Sequence, residues 1–399
     1  MQTLSLCMIV KDEVGNLPRS LAPLMPYVDE AVVVDTGSTD GTPDLAARLG
    51  ARVHHLTWSH DFAAARNFSL EQAAGDWVLW LDGDNRLLEE DAALLKSLVQ
   101  RPGDAILWAT EIVEPDGGRL LQKRLFPRHP EIRFRYRVHE QLCHPPALAQ
   151  VITPVRIYHW GYEDRALRRS KARRNLTYLL ADLQERPDDF YLRYHLTRHH
   201  FFAGELQEAW GQLQEVLATP GLESQNPEIA RHARLLAALL RDRLNDLAGA
   251  LRQFRELVDQ CPDYGLAWYH LGLTCFRHND FPTAALALAQ FLELGCGHFF
   301  LDQPEEKLNL TALLTRAQAL RRLARYEEAA GVLTEAQRLY PQQPGVWLET
   351  AALARTCLDY GSARRALHAC LALRPQSRRA QALLAEMEGL MPAGENQRN

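Results

Sequence analysis

Residues 79–85 read L-W-L-D-G-D-N, an apolar run that ends on two aspartates one residue apart. Residues 77–81 have the character of a buried strand, which places Asp82 and Asp84 at or just past its carboxyl end. Two carboxylates this close repel, and a folded chain keeps them together where a cation or several donors offset the charge. A hard divalent ion such as Mg²⁺ or Mn²⁺ takes carboxylate oxygens and shares its other positions with substrate phosphates. The motif points to chemistry on a phosphorylated or nucleotide-linked substrate.

Outward from this run, the first 110 or so residues alternate strand-like and helix-like pieces. Strands are expected at 4–10, 31–35, 52–56, 77–81 and 105–113, and helices at 17–25, 43–49, 63–74 and 89–99. Such alternation implies an α/β domain, a mainly parallel sheet covered on both faces. Ligands of such sheets bind where strands end. The chemistry is therefore expected after Val10, Val34 and Leu81.

Near residue 165 the strand signal stops, and Ala, Leu, Arg and Glu recur at helical spacing. Ala250, Ala284, Ala329 and Ala363 each fall in the second helix of an expected pair, and Pro262, Pro341 and Pro375 lie 12 residues past Ala250, Ala329 and Ala363. The steps 250→284 and 329→363 are 34 residues, the tetratricopeptide period, and 284→329 is 45, one repeat plus an 11-residue insertion around 295–306. Trp268, Leu271 and Gly272 take first-helix positions, Trp347 is an equivalent aromatic, and Ala209 marks a more degenerate copy. Stacked pairs of this kind form a superhelix with a concave face. The expected organisation is an α/β catalytic domain over 1–165, an all-α tetratricopeptide superhelix over 166–391 and a frayed tail over 392–399.

Bulk properties exclude several classes. A chain of 399 residues suits two or three domains, and a net charge of −5 argues against a general nucleic-acid binder. Seven scattered cysteines without C-x-x-C spacing read as reduced thiols of a cytoplasmic protein, against a disulfide framework or zinc site. The apolar stretch at 4–10 is too short for a secretory core, and with no uncharged run of 18 residues a membrane span is not expected.

The second strand runs into a loop, V-V-V-D-T-G-S-T-D-G-T over residues 32–42. Asp35 arrives at the strand end and can accept from a base or ribose donor, while Gly37 and Gly41 allow tight turns. The loop also reads as a plain turn, with Asp40 or Thr42 capping the next helix.

Taken in order, S-L-C-M-I-V-K-D-E (5–13), V-V-V-D-T-G-S-T-D-G-T (32–42), D-F-A-A-A-R-N (61–67), G-D-W-V-L-W-L-D-G-D (75–84) and V-H-E (138–140) resemble family-2 glycosyltransferases with the A-type nucleotide-sugar fold. The nearest subgroup in appearance is the lipopolysaccharide-core-type transferases and related enzymes with tetratricopeptide tails. The resemblance implies that Val10, Lys11, Glu13, Asp35, Ser38 and Asp40 line a nucleotide-sugar donor, most simply a UDP-sugar. It implies that Arg66 faces the diphosphate, and that Asp82 and Asp84 match the metal-binding D-x-D pair for Mn²⁺ or Mg²⁺. Asp82 equally suits the ribose, leaving Asp84 as the direct ligand. His159 falls where similar enzymes place a further metal ligand or diphosphate donor; a structural histidine is the alternative.

Inversion at an anomeric carbon needs a base for the acceptor hydroxyl, and family-2 enzymes resemble one another in using a carboxylate. Glu140 is the acid available in V-H-E, with a capping or ion-pair role as its alternative. Arg66 has a guanidinium fork suited to phosphate oxygens; a surface salt bridge is its bland reading. Two basic runs, Arg119–Arg137 and Arg165–Arg174, read first as solvated faces and otherwise as a site for an anionic acceptor or a membrane surface. Three positions depart from the family: Asp12 and Val14 stand where Asn and Glu are frequent, and Asn85 where glutamate is frequent.

The whole reads as a metal-dependent inverting glycosyltransferase. The acceptor is expected to be a glycan, lipid-linked or peptide, the repeats offer a surface for a protein partner, and a peripheral membrane contact is compatible with the sequence. A nucleotidyltransferase is disfavoured, because Lys11-Asp12-Glu13 replaces a glycine-rich loop after strand one. A non-catalytic nucleotide-binding scaffold is disfavoured by Asp82, Asp84 and Arg66.

Overall fold

The D-G-D run closes the central strand of a large sheet. In the computed structural model, which describes residues 1–100, 106–113, 119–159, 165–297 and 304–390, the strands are β1 (Leu4–Val10), β2 (Glu30–Asp35), β3 (Arg52–His55), β4 (Trp77–Asp82), β5 (Asn85–Arg86), β6 (Ile106–Val113), β7 (Arg119–Pro127), β8 (Arg133–Arg135), β9 (Gln141–Cys143) and β10 (Ala149–His159). Eight form one sheet in the order β3-β2-β1-β4-β7-β6-β10-β5, and β8 and β9 form a separate hairpin.

The sheet is mixed and mostly parallel. β1, β2, β3 and β4 pair in parallel, as do β6 and β10, whereas β7 runs antiparallel to both β4 and β6, and β5 antiparallel to β10. The cause is connection length: a dozen or more residues are needed to cross back into a parallel neighbour, and only residues 114–118 separate β6 from β7. Alternate residues of the central strands feed two cores. Leu6, Met8, Val33, Leu79 and Leu81 face one, and Cys7, Val32, Val34, Val78 and Trp80 the other. Burial on both faces explains why these strands read as near-continuous apolar runs.

Helices α1 (Leu17–Ser20), α2 (Thr42–Arg48), α3 (Phe62–Gln72) and α4 (Glu89–Val99) cover this sheet. The single helix expected over 17–25 is instead α1 followed by a 3-10 turn at Ala22–Leu24. Pro23 has no N–H to bond back, and its ring crowds the preceding turn.

The helical part comprises α5 (Arg165–Glu185), α6 (Phe190–Ala203), α7 (Leu206–Leu217), α8 (Leu222–Gln225), α9 (Pro227–Arg243), α10 (Leu247–Gln260), α11 (Gly265–Arg277), α12 (Phe281–Leu294), α13 (Glu305–Arg322), α14 (Tyr326–Leu339), α15 (Pro344–Thr356), α16 (Tyr360–Leu373) and α17 (Arg378–Leu390). Part of the expected insertion (298–303) and the expected tail (392–399) lie outside the described residues. The chain divides into two compact units, one built on Met1–Ala230 and the other on Arg231–Gly297 and Glu305 onward. Helices α5–α8 therefore share a unit with the sheet.

Repetition is visible in the bonds of the second unit. The Trp268 indole donates to the Pro262 carbonyl at 2.9 Å, the Trp347 indole to Pro341 at 2.8 Å, and the Gln381 amide to Pro375 at 2.8 Å. Each donor lies six residues past its proline. Asp246, Asp280 and Asp359 cap α10, α12 and α16, accepting from Gly249, Thr283 and Ser362. The signature alanines 250, 284, 329 and 363 are fully buried, as is Ala209 in α7. A Cβ at Gly272 would lie 2.6 Å from Leu288 Cγ and 3.2 Å from the Leu288 backbone nitrogen. Gly272→Ala is therefore expected to destabilise the repeats by about 1–3 kcal/mol, the usual scale of core overpacking. Urea unfolding followed by circular dichroism checks this, and an unchanged midpoint would count against close α11–α12 packing.

Candidate active site

Two loops at the carboxyl ends of β1 and β2 brace each other. The Asp12 backbone N–H donates to Ser38 Oγ at 2.9 Å, the Thr39 N–H to Asp12 Oδ1 at 2.7 Å, the Glu13 N–H to Thr42 Oγ1 at 2.7 Å, and the Val14 N–H to Asp40 Oδ2 at 3.1 Å. Gly37 and Gly41 take left-handed φ values of 102° and 85° in this turn. Asp35 is buried at the strand end and accepts the Gly37 and Ser38 N–H groups, with His55 Nδ1 3.4 Å away. Burial pushes its carboxyl up, but these bonds outweigh it and hold the group below the usual carboxylate range. Ser38 and Asp40 thus spend hydrogen-bonding capacity on the loop itself, while Lys11 is exposed at its rim.

At the end of β4 the charges are arranged differently. Asp82 Oδ2 accepts from Arg124 Nη2 at 2.9 Å, and Asp82 Oδ1 lies 3.6 Å from Arg66 Nη2. The same Arg66 nitrogen stands 3.4 Å from Glu140 Oε1. Arg66 is carried by α3, whose start is capped by Asp61 accepting from the Ala64 N–H at 2.9 Å. Both guanidinium groups lie over the Trp80 indole, Arg66 at 3.8 Å and Arg124 at 4.7 Å from its ring centroid. Desolvation opposes ionisation of Asp82, yet Arg124 and then Arg66 outweigh it and hold its carboxyl low. Burial dominates at Glu140 and raises its carboxyl, with Arg66 opposing. The surface salt bridge considered for Arg66 is not what forms: its side chain is only 15% exposed.

The second aspartate is placed by the returning chain. Asn85 is buried and its Oδ1 accepts the Asp82 N–H at 3.1 Å, folding the D-G-D turn. Residues Asn85 and Arg86 then pair with the end of β10, opposite His159 and Tyr158. This sets His159 Nε2 3.0 Å from Asp84 Oδ2. Glu13 packs on the same turn, since a Cβ at Gly83 would meet Glu13 Cγ at 2.9 Å. Burial raises the Glu13 carboxyl, a bond from Asn16 opposes this, and Asp84 adds to the rise.

Among the described residues no cluster of three or more His, Cys, Asp or Glu side chains is poised around a metal position. Asp84 and His159 alone fit a smaller demand. Asp84 Oδ2 and His159 Nε2 pair directly with each other at 3.0 Å, and the same oxygen and nitrogen would be the donors offered to a divalent ion. A carboxylate with an imidazole would suit Mn²⁺. Asp82 already has an arginine at each oxygen.

Of the residues singled out in the sequence, Arg66, Asp82 and Glu140 come together, and Asp84 meets His159 one turn away. Val10, Asp35, Ser38 and Asp40 gather separately at the β1 and β2 ends, linked to the D-G-D turn through Glu13. Arg124 and Trp80 carry roles the motif reading passed over. An arginine set directly before the apolar Leu-Phe end of the strand R-L-L-Q-K-R-L-F-P was the available signal for Arg124. The Arg119 side chain lies outside the described residues, and the rest of the first basic run is not a free solvated face. Arg128 bonds the Gly75 carbonyl, Arg133 pairs with Glu71, and Arg135 and Arg137 pair with Asp189, Asp182 and Glu185. In the second run, the side chains of Arg165, Arg168 and Arg169 lie outside the described residues, while Lys171, Arg173 and Arg174 are exposed.

Comparison with known proteins bears on this geometry. Residues 5–156 match the family Glycosyl transferase family 2, and residues 235–295 and 300–356 match Tetratricopeptide repeat. A TPR repeat-containing protein of Synechococcus elongatus is 36% identical over 291 residues, covering 68% of this chain and 70% of that protein. The SPbeta prophage-derived glycosyltransferase SunS of Bacillus subtilis is 26% identical over 198 residues, 47% of this chain and 46% of that protein. An uncharacterized glycosyltransferase of Rickettsia felis is 33% identical over 90 residues, 23% of this chain and 31% of that protein. Residues 5–156 form a glycosyl transferase family 2 domain, and tetratricopeptide repeats follow it. It is a glycosyltransferase.

The two carboxylates at Arg66 give opposite pH signatures. Arg124→Met should cost less than the roughly 3–5 kcal/mol of a fully buried pair, because 32% of the Asp82 side chain meets solvent. A depressed carboxyl stabilises the fold above the unfolded value near pH 4, so the deficit should shrink as pH falls through that range. Glu140→Gln should do the reverse. A raised carboxyl loses stability as pH rises past the unfolded value, so the glutamine variant should melt above wild type at pH 7 and converge with it in acid. Thermal melts between pH 3 and pH 8 check both signs.

Proposed function

We propose that this chain is a metal-dependent inverting glycosyltransferase that moves a sugar from a nucleotide-linked donor, in our reading a UDP-sugar, to an acceptor hydroxyl. The observation that carries the reading is the sharing of Arg66 between Asp82 and Glu140 at the wall of a cavity of about 870 Å³. One guanidinium there serves two acids with different duties. Towards the strand ends, Arg66 offers its donors to the diphosphate, and the β1 and β2 loops hold the nucleoside. Towards the cavity, Glu140 accepts the proton of the acceptor hydroxyl as the new bond forms, and the sugar leaves its diphosphate on the opposite side.

Asp84 and His159 would hold the divalent ion. When bound, it draws off negative charge developing on the leaving diphosphate. Asp82, held by two arginines, suits the ribose or the orientation of Arg66. The cavity is lined by aromatic and apolar groups, including Phe62, Trp80, Phe134 and Tyr191, with Lys123, Arg174 and Arg198 among its polar lining. Its volume is near the top of the usual range for small-ligand sites, which supports an acceptor longer than one sugar: a glycan, lipid-linked or peptide chain. The repeats supply a surface for a protein partner.

The seven free cysteines support a reducing, cytoplasmic setting. No described helix is long and apolar enough to cross a membrane. Internal pairing of the first basic run leaves less charge for a peripheral membrane contact.

The test is a screen of nucleotide-sugars for nucleotide release, with calorimetric titration of UDP in the presence and absence of Mn²⁺. Wild type should bind UDP more tightly with Mn²⁺, and Asp84→Ala should lose that gain while keeping its melting temperature. Glu140→Gln should keep UDP affinity and lose about 10²–10⁴ in turnover, the usual yield of a positioned base. Metal-independent UDP binding together with undiminished turnover of Asp84→Ala would sink the reading.

A further inference from the structure

Glu140 sits in a loop whose backbone is strained. Tyr136 and His139 adopt left-handed φ values of 79° and 55°, each at a residue with a bulky side chain. Such positions cost about 1–3 kcal/mol apiece and persist only where surrounding structure imposes them. On one side the loop is held by α3. Phe62 donates its N–H to the Arg137 carbonyl at 3.0 Å, and the Asn67 amide brackets Phe134, donating to its carbonyl at 2.8 Å and accepting its N–H at 2.7 Å.

On the other side every anchor comes from α5 and α6. Asp182, fully buried, accepts the Arg137 N–H at 2.7 Å and its guanidinium at 2.8 Å, and Glu185 takes the other guanidinium nitrogen at 2.6 Å. Asp189 caps α6 and accepts the Tyr136 hydroxyl at 2.9 Å. Tyr136 stacks on Tyr191 at 4.8 Å, and His139 on His195 at 4.1 Å. The Tyr191 hydroxyl donates to the His139 carbonyl at 2.8 Å. That carbonyl belongs to the peptide bond joining His139 to Glu140. Fixing it fixes the plane from which the Glu140 side chain departs.

We propose that α5 and α6 are a working part of the transferase centre, with Tyr191 as the positioning residue that aims Glu140 and Asp182 as the anchor of its loop. The proposal rests on Glu140 being the base. Misplacement by about 1 Å can cost on the order of a hundredfold in rate, and a single hydrogen bond to the preceding peptide is enough to permit it. A catalytic domain ending at residue 165 would leave the loop without these anchors.

The experiment uses the full-length chain and the conservative Tyr191→Phe, which keeps the ring on Tyr136 and removes only the hydroxyl. Hydrogen exchange over residues 134–142 should quicken about tenfold in the variant, with exchange in β1 and β4 and UDP affinity unchanged. Release of UDP from UDP-glucose, UDP-galactose and UDP-N-acetylglucosamine should fall about tenfold. In a Glu140→Gln background the added Tyr191→Phe should cost nothing further, since coupled residues are not additive. Unchanged loop exchange, or an equal added loss in the Glu140→Gln background, would overturn the positioning role. Wild-type turnover of Glu140→Gln alone would instead remove the base, independently of how Tyr191→Phe behaves.

Discussion

One guanidinium organises the transferase centre. Arg66 lies over Trp80 and reaches both Asp82 and Glu140. Without it, two partly buried acids would face each other across a low-dielectric wall, and one would be driven to its neutral form. With it, the acids differ in state. Asp82 has a second arginine and is held ionised, whereas Glu140 has a share of one arginine and burial prevails there. Pairs of acids whose surroundings separate their affinities for protons are the usual basis for a division of labour in a site. The same arrangement explains Arg124, which neutralises Asp82 from the adjacent strand and leaves Arg66 to be shared with Glu140.

The fold supplies this geometry cheaply because it uses strand ends. β1, β2 and β4 run parallel, so their following loops converge on one edge of the sheet. The short antiparallel return at Asn85–Arg86 then brings the end of β10, and with it His159, to Asp84. No single segment holds the site.

Much of this was legible in the sequence, and the failures have causes. The apolar runs at β1, β2 and β4 stood out because burial on both faces removes polar residues from a strand. The repeats stood out because close helix contacts demand Ala or Gly at a fixed interval, as Ala284 and Gly272 show. The partners of charged residues were not legible. Arg124 and Arg137 sit in one basic run, yet one is buried against Asp82 and the other is tied to Asp182 and Glu185. Sequence spacing says nothing of acids 42 or 45 residues away. The mainly parallel sheet was expected and is found, but the antiparallel strand β7 within it was not legible, since it is polar-studded and lacks the central strands' signature. Contacts from α5 and α6 to the Glu140 loop show why a change from strands to helices is a poor guide to where a working unit ends.

The most direct measurement is a crystal structure of the full chain with UDP and Mn²⁺. An ion is expected at Asp84 and His159, the diphosphate between that ion and Arg66, the nucleoside on the β1 and β2 loops, and Glu140 facing the open cavity across from the phosphates. A diphosphate bound elsewhere, with Arg66 still closed on Asp82 and Glu140 and no ion at Asp84, would contradict it.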